Sequence, residues 1–87
     1  MNRKKLLLRL TGGALQNVRF GDMISLAIGF GFRVERVSGS HHILTRPGIR
    51  ELINLQNADG QAKPYQIRQF IRLVERYNLK LEEGNNE

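Results

Sequence analysis

The stretch that most constrains the fold of this chain is Gly39-Ser40. It stands between two runs rich in β-branched and aromatic residues, Phe32 to Val37 and His41 to Arg46. Gly-Ser in such a gap signals a two-residue hairpin, because a type II′ turn needs positive φ at its first central residue, which glycine adopts without steric cost. Strands joined this tightly run antiparallel. The turn also fixes His41 as the first residue of the returning strand.

An imidazole beside a tight turn is open to an approaching ligand. Its unperturbed pKa of about 6.5 lets it accept or donate a proton near neutrality. The alternative is a surface histidine that happens to follow a turn. Alternation places His41, Ile43 and Thr45 on one face of this strand, and His42, Leu44 and Arg46 on the other. Adjacent histidines on opposite faces do not chelate one ion, and the chain has no cysteine, so no metal site is expected. His42 reads as a structural or surface residue. One face packs on helices, leaving the other for a ligand, a partner or half-exposed surface.

The strand beginning at His41 ends at Pro47-Gly48, a turn signal, and a third strand is expected over Glu51 to Gln56. Asn57 to Ala62 contains Asp59-Gly60 and reads as a loop. A helix then starts near Pro64, which suits a first helical position. Ile67, Phe70, Ile71 and Val74 follow the spacing of a buried stripe, widened by Tyr77. Arg68, Arg72 and Arg76 form a basic ridge opposite, either a solvated face or an RNA contact. Lys63 precedes the helix, a poor place for a cation unless an anion binds the free amides there. The alternative is a loop lysine with its head in water.

Upstream, Asn2 to Leu10 reads as a short basic helix capped by Asn2 and stopped by Thr11-Gly12-Gly13. Its first-turn cations oppose the macrodipole, so it depends on packing to persist. A second helix is expected from Gly21 or Asp22 to Ile28. It is apolar nearly all round and must be covered on more than one side, by the sheet and by either the N-terminal segment or a protein partner. Leu79 and Leu81 have the means to dock back, and Glu82 to Glu87 reads as a polar tail.

The chain has 87 residues, enough for a single domain, 1–87, with a modest core. Lys and Arg outnumber Asp and Glu by 14 to 8, giving +6 and a pI near 10.5. That balance favours a polyanionic partner, nucleic acid or an acidic protein. Leu6-Leu7-Leu8 is too short for a signal-peptide core or a membrane span, and residence in the cytoplasm is expected.

Gly31-Phe32, then a strand, then Val37-Ser38-Gly39-Ser40-His41-His42-Ile43-Leu44, resembles the HicA family of bacterial toxin–antitoxin modules. So does the run Lys63-Pro64-Tyr65-Gln66-Ile67-Arg68-Gln69-Phe70. The resemblance covers about 18–79, leaving 1–17 as a helical arm and 80–87 as a tail. It implies a small toxin that cleaves messenger RNA, folded like the double-stranded-RNA-binding domain and silenced by a HicB antitoxin. It also implies that His41, after the Gly39-Ser40 turn, is the active histidine. The chain departs from the family where Asn54-Leu55-Gln56-Asn57 replaces a Pro-x-His-like ending, and where Pro64-Tyr65-Gln66-Ile67 replaces Gly-Thr-Leu.

The expected fold is α+β, in the order α-α-β-β-β-α, with a three-stranded antiparallel sheet covered on one face by helices. The expected function is metal-independent cleavage of messenger RNA by His41, with no cofactor and no membrane. Lys63, Arg68, Arg72 and Arg46 are the candidate RNA-binding residues, and a HicB-like antitoxin is the expected protein partner. A non-catalytic RNA-binding module and a catalytically silent partner-binding protein are the alternatives.

Overall fold

The computed structural model describes residues 1–82, so the polar tail from residue 83 onward lies outside the described residues. The elements are α1 (Arg3–Thr11), α2 (Phe20–Gly29), β1 (Arg33–Ser38), β2 (His41–Arg46), β3 (Ile49–Ala58), β4 (Gln61–Ala62) and α3 (Pro64–Arg76). The class is α+β in the expected order, but the antiparallel sheet has four strands, β1-β2-β3-β4, not three.

The added strand comes from Asp59-Gly60. Both residues have positive φ, 54° and 89°, as a type I′ turn requires, and Asp-Gly favours that turn. The chain therefore doubles back, pairing Ala58 with Gln61 and Asn57 with Ala62. The segment before α2 holds the new strand from its far side. Ala62 N–H donates to the Val18 carbonyl at 2.9 Å, and Phe20 N–H to the Gly60 carbonyl at 2.9 Å. Those bonds also carry the start of α2 back to Phe20, ahead of the expected Gly21.

Leu44, Ile53 and Leu55 point from the sheet into a core shared with Met23, Leu26, Ile67 and Phe70. Phe70 lies beside both Phe30 and Phe32, with ring centroids 5.7 and 5.4 Å apart, in the edge and tilted geometries that aromatic quadrupoles favour.

The second cover over α2 is α1, which buries Leu6 and Leu10. Asn2 caps α1 by accepting the Lys5 N–H at 2.8 Å, and Arg3 Nε donates to Ser25 Oγ at 3.0 Å. Leu6, Leu10 and Leu15 are the residues of 1–17 that enter the core. Beyond α3, Leu79 and Leu81 dock half-buried against the core, and Glu82 N–H donates to the Gly29 carbonyl at 2.9 Å.

Candidate active site on the open sheet face

Gly39 has φ 59° and Ser40 does not share the positive φ, the pattern of a type II′ turn. The turn closes on the pair Ser38 and His41. Because Leu44 faces the core, alternation turns His41, Ile43 and Thr45 outward. Among the described residues the helices pack on the Leu44 side, and His41 is exposed. Its Nδ1 lies 3.3 Å from Asn54 Oδ1. Gln56 stands directly across from His41 on β3, and Asn54 stands across from Ile43.

His42 points the other way. Its ring meets Phe20 edge-on, 4.7 Å between centroids, and its Nδ1 lies 3.3 Å from the Ser40 carbonyl oxygen. A carbonyl accepts only, so Nδ1 is the donor there. His42 braces the hairpin against α2.

Arg36 shares the open face. It pairs with Ile43 across the β1–β2 ladder, which makes it the diagonal neighbour of His41, a separation that long side chains span. It is exposed and has neither an ion-pair nor a hydrogen-bond partner among the described residues. Reading alternation back through the two-residue turn identifies it: Ser38 opposes His41, and two residues earlier comes Arg36. The neighbouring carboxylate of Glu35 accepts from Thr45 Oγ1 at 3.1 Å and pairs with Arg33 at 3.3 Å.

The other basic candidates separate. Arg46 ends β2, about 17 Å along the strand from His41. Its Nε donates to the Phe30 carbonyl at 2.7 Å and its Nη1 to that of Pro47 at 3.2 Å. The guanidinium lies against Gly31, where a Cβ would approach Nε to 2.9 Å. Arg46 therefore fastens the end of α2 to the sheet. Arg72 lines a cleft of about 240 Å³ with Glu51, Leu52, Leu73 and Arg76, toward the opposite end of β3 from Gln56. Arg68 is exposed one turn into α3.

Lys63 is closer to the histidine end of the sheet, two strands from His41, since Ala62 pairs with Asn57. It occupies the N-cap of α3, with Pro64 after it. Pro64 has no N–H, and the amides of Gln66 and Ile67 donate to the Lys63 carbonyl at 3.0 and 3.1 Å. That turn does not offer the row of free amides a phosphate cradle uses.

Sequence reasoning also missed Gln66, which is 1% exposed. Its Oε1 accepts the Gln56 N–H at 2.7 Å, and its Nε2 donates to Tyr65 Oη at 3.2 Å. It ties the start of α3 to the β3 residue opposite His41.

The family model for the HicA toxin of bacterial toxin–antitoxin systems matches residues 20–75, from the first residue of α2 almost to the end of α3. The class is therefore the toxin component of a toxin–antitoxin pair. The chain belongs to the HicA toxin family, with α1 and the segment after Arg76 outside the matched part. No curated relative and no solved structure matches the chain. No helix among the described residues is long and apolar enough to cross a membrane.

Proposed function

We propose that this HicA-family chain is an endoribonuclease that cleaves messenger RNA without a metal, using His41 as its general base. The observation that carries the reading is the exposure of His41 on the sheet face turned away from the core. An RNA strand laid across that face brings a ribose 2′-hydroxyl to the imidazole. The ring removes the hydroxyl proton, and the 2′ oxygen attacks the adjacent phosphorus. The bond from phosphorus to the 5′ oxygen breaks, leaving a 2′,3′-cyclic phosphate on one fragment. The departing oxygen takes a proton from water, which reaches this open face freely. Arg36 stabilises charge building on the phosphorane, the role of a fixed cation near a developing anion.

Lys63 and Arg68, at the N-terminal end of α3, extend the positive field toward the flanking backbone. Arg72 and Arg46 stand too far along the sheet to join the reacting phosphate. A HicB-like antitoxin is the protein partner this reading requires, and the cytoplasm, where messenger RNA and antitoxin meet, is its place of action.

The test is incubation of the purified chain with RNA in EDTA. Fragments ending in cyclic phosphate support the proposal. Salt-sensitive binding without fragments at any pH identifies a non-catalytic RNA-binding module instead, and neither binding nor cleavage leaves a protein acting through its partner alone.

A further inference from the structure

We infer that Asn54 is a positioning residue for His41: its carboxamide oxygen holds the ring in the Nδ1–H tautomer and leaves the Nε2 lone pair toward solvent. This rests on His41 being the base proposed above.

The register places the two side chains together. His41 opposes Gln56 and Ile43 opposes Asn54, so Asn54 is the diagonal neighbour of His41 on the open face, within side-chain reach. The ring turns back along β3, bringing Nδ1 to 3.3 Å from Asn54 Oδ1. Asn54 is the sole hydrogen-bond partner of that ring among the described residues, although Ser38 and Gln56 stand closer in register. A carboxamide oxygen accepts and never donates, and a neutral imidazole carries one N–H. The proton therefore sits on Nδ1. The basic nitrogen is Nε2, at the far side of the ring from β3 and free to meet a substrate hydroxyl. A base needs its free nitrogen aimed at the proton it removes, and the hydrogen bond at the other nitrogen sets that aim.

A neutral partner suits the task. An aspartate at residue 54 would stabilise the imidazolium and draw the base into its charged form. Of the residues facing His41, β3 supplies only neutral Asn54 and Gln56, while β1 supplies Ser38 and the cation Arg36. Arg36 and Asn54 thus flank the ring from opposite strands, one charged and one not. Asn54 is half-buried and outside the core cluster, so substituting it leaves the core intact.

Nitrogen-15 NMR of the two histidine rings tests the inference, with His42→Ala assigning the signals. The expected wild-type result is the Nδ1–H form at His41. In Asn54→Ala the ring reverts to the Nε2–H form that histidine prefers in water. RNA cleavage then falls, because the basic lone pair no longer faces the substrate hydroxyl. In Asn54→Asp the Nδ1–H form persists, and the acidic limb of the cleavage–pH profile moves to higher pH with the ring's titration. A wild-type His41 with the proton on Nε2, or a tautomer ratio unchanged by Asn54→Ala, overturns the inference. The NMR result decides what Asn54 does even if the chain cuts no RNA, in which case the nuclease reading alone fails.

Discussion

Gln66 Oε1 accepts the backbone N–H of Gln56 at 2.7 Å, and Gln56 stands directly across the sheet from His41. Asn57 N–H donates to the Ser40 carbonyl at 2.8 Å, so the amide one residue earlier points away from β2. Among the described residues β3 has no strand on its outer side at that height, because β4 pairs only with Asn57 and Ala58. The buried glutamine takes the place of the missing strand. Replacing Gln66 with Leu keeps the volume but leaves the Gln56 amide without an acceptor. The expected loss is about 1–3 kcal/mol, read from the urea midpoint. An unchanged midpoint contradicts the role given to this contact.

Leu6→Ala tests whether α1 is part of the core. Leu6 is 1% exposed, and removing its side chain opens a cavity between α1 and α2. A loss of about 2–5 kcal/mol is expected. A loss below about 0.5 kcal/mol, the range of surface changes, makes α1 an appendage.

Arg36 and Arg46 are both basic strand residues, yet their substitutions are expected to act oppositely. Arg36→Ala lowers RNA cleavage and reduces the salt slope of single-strand binding by about 0.7, with the unfolding midpoint unmoved. Arg46→Ala deprives the Phe30 carbonyl of a charged donor, costs about 1–3 kcal/mol of stability, and spares cleavage by the folded fraction. Identical effects on both readouts contradict this division.

Glu51 links β3 to the end of α3. Tyr77 Oη donates to its Oε1 at 2.6 Å, and Arg76 Nη1 to its Oε2 at 3.0 Å. The Tyr77 hydroxyl, helped by Arg76, holds the Glu51 carboxyl below its ordinary value of 4.5. The same hydrogen bond raises the Tyr77 phenol above 10.0. A carboxyl lowered on folding stabilises the protein above its unfolded pKa, and that stabilisation disappears as pH falls through the folded value. A phenol raised on folding stabilises below its unfolded pKa and loses this as pH rises through the folded value. Urea midpoints at about pH 6 and about pH 3 are therefore expected to differ more in the wild type than in Tyr77→Phe. Equal differences contradict the linkage.

What was legible in the sequence was local. Gly39-Ser40 announced the hairpin because turn chemistry leaves few options, and alternation from that turn put His41 and His42 on opposite faces. Asp59-Gly60 carried the same kind of signal. The strand it launches has two residues, too few to show a period, so the stretch read as a loop. Basic residues were legible as basic but not by their partners. The carbonyls that occupy Arg46 belong to Phe30 and Pro47, and only the tertiary fold brings Phe30 to it. Arg36 is legible from the register, because it lies two residues before Ser38, the partner of His41. Gln66 escaped because a polar residue beside a buried stripe reads as surface until its backbone partner is known.

The central claim is that the His41 imidazole is the base for RNA cleavage, and the most direct test is the cleavage rate of purified His41→Ala. The account expects a fall of about 10²–10⁴-fold, the usual contribution of a positioned base, with the circular dichroism spectrum and unfolding midpoint of the wild type retained. A folded His41→Ala variant that cuts RNA at the wild-type rate would contradict it.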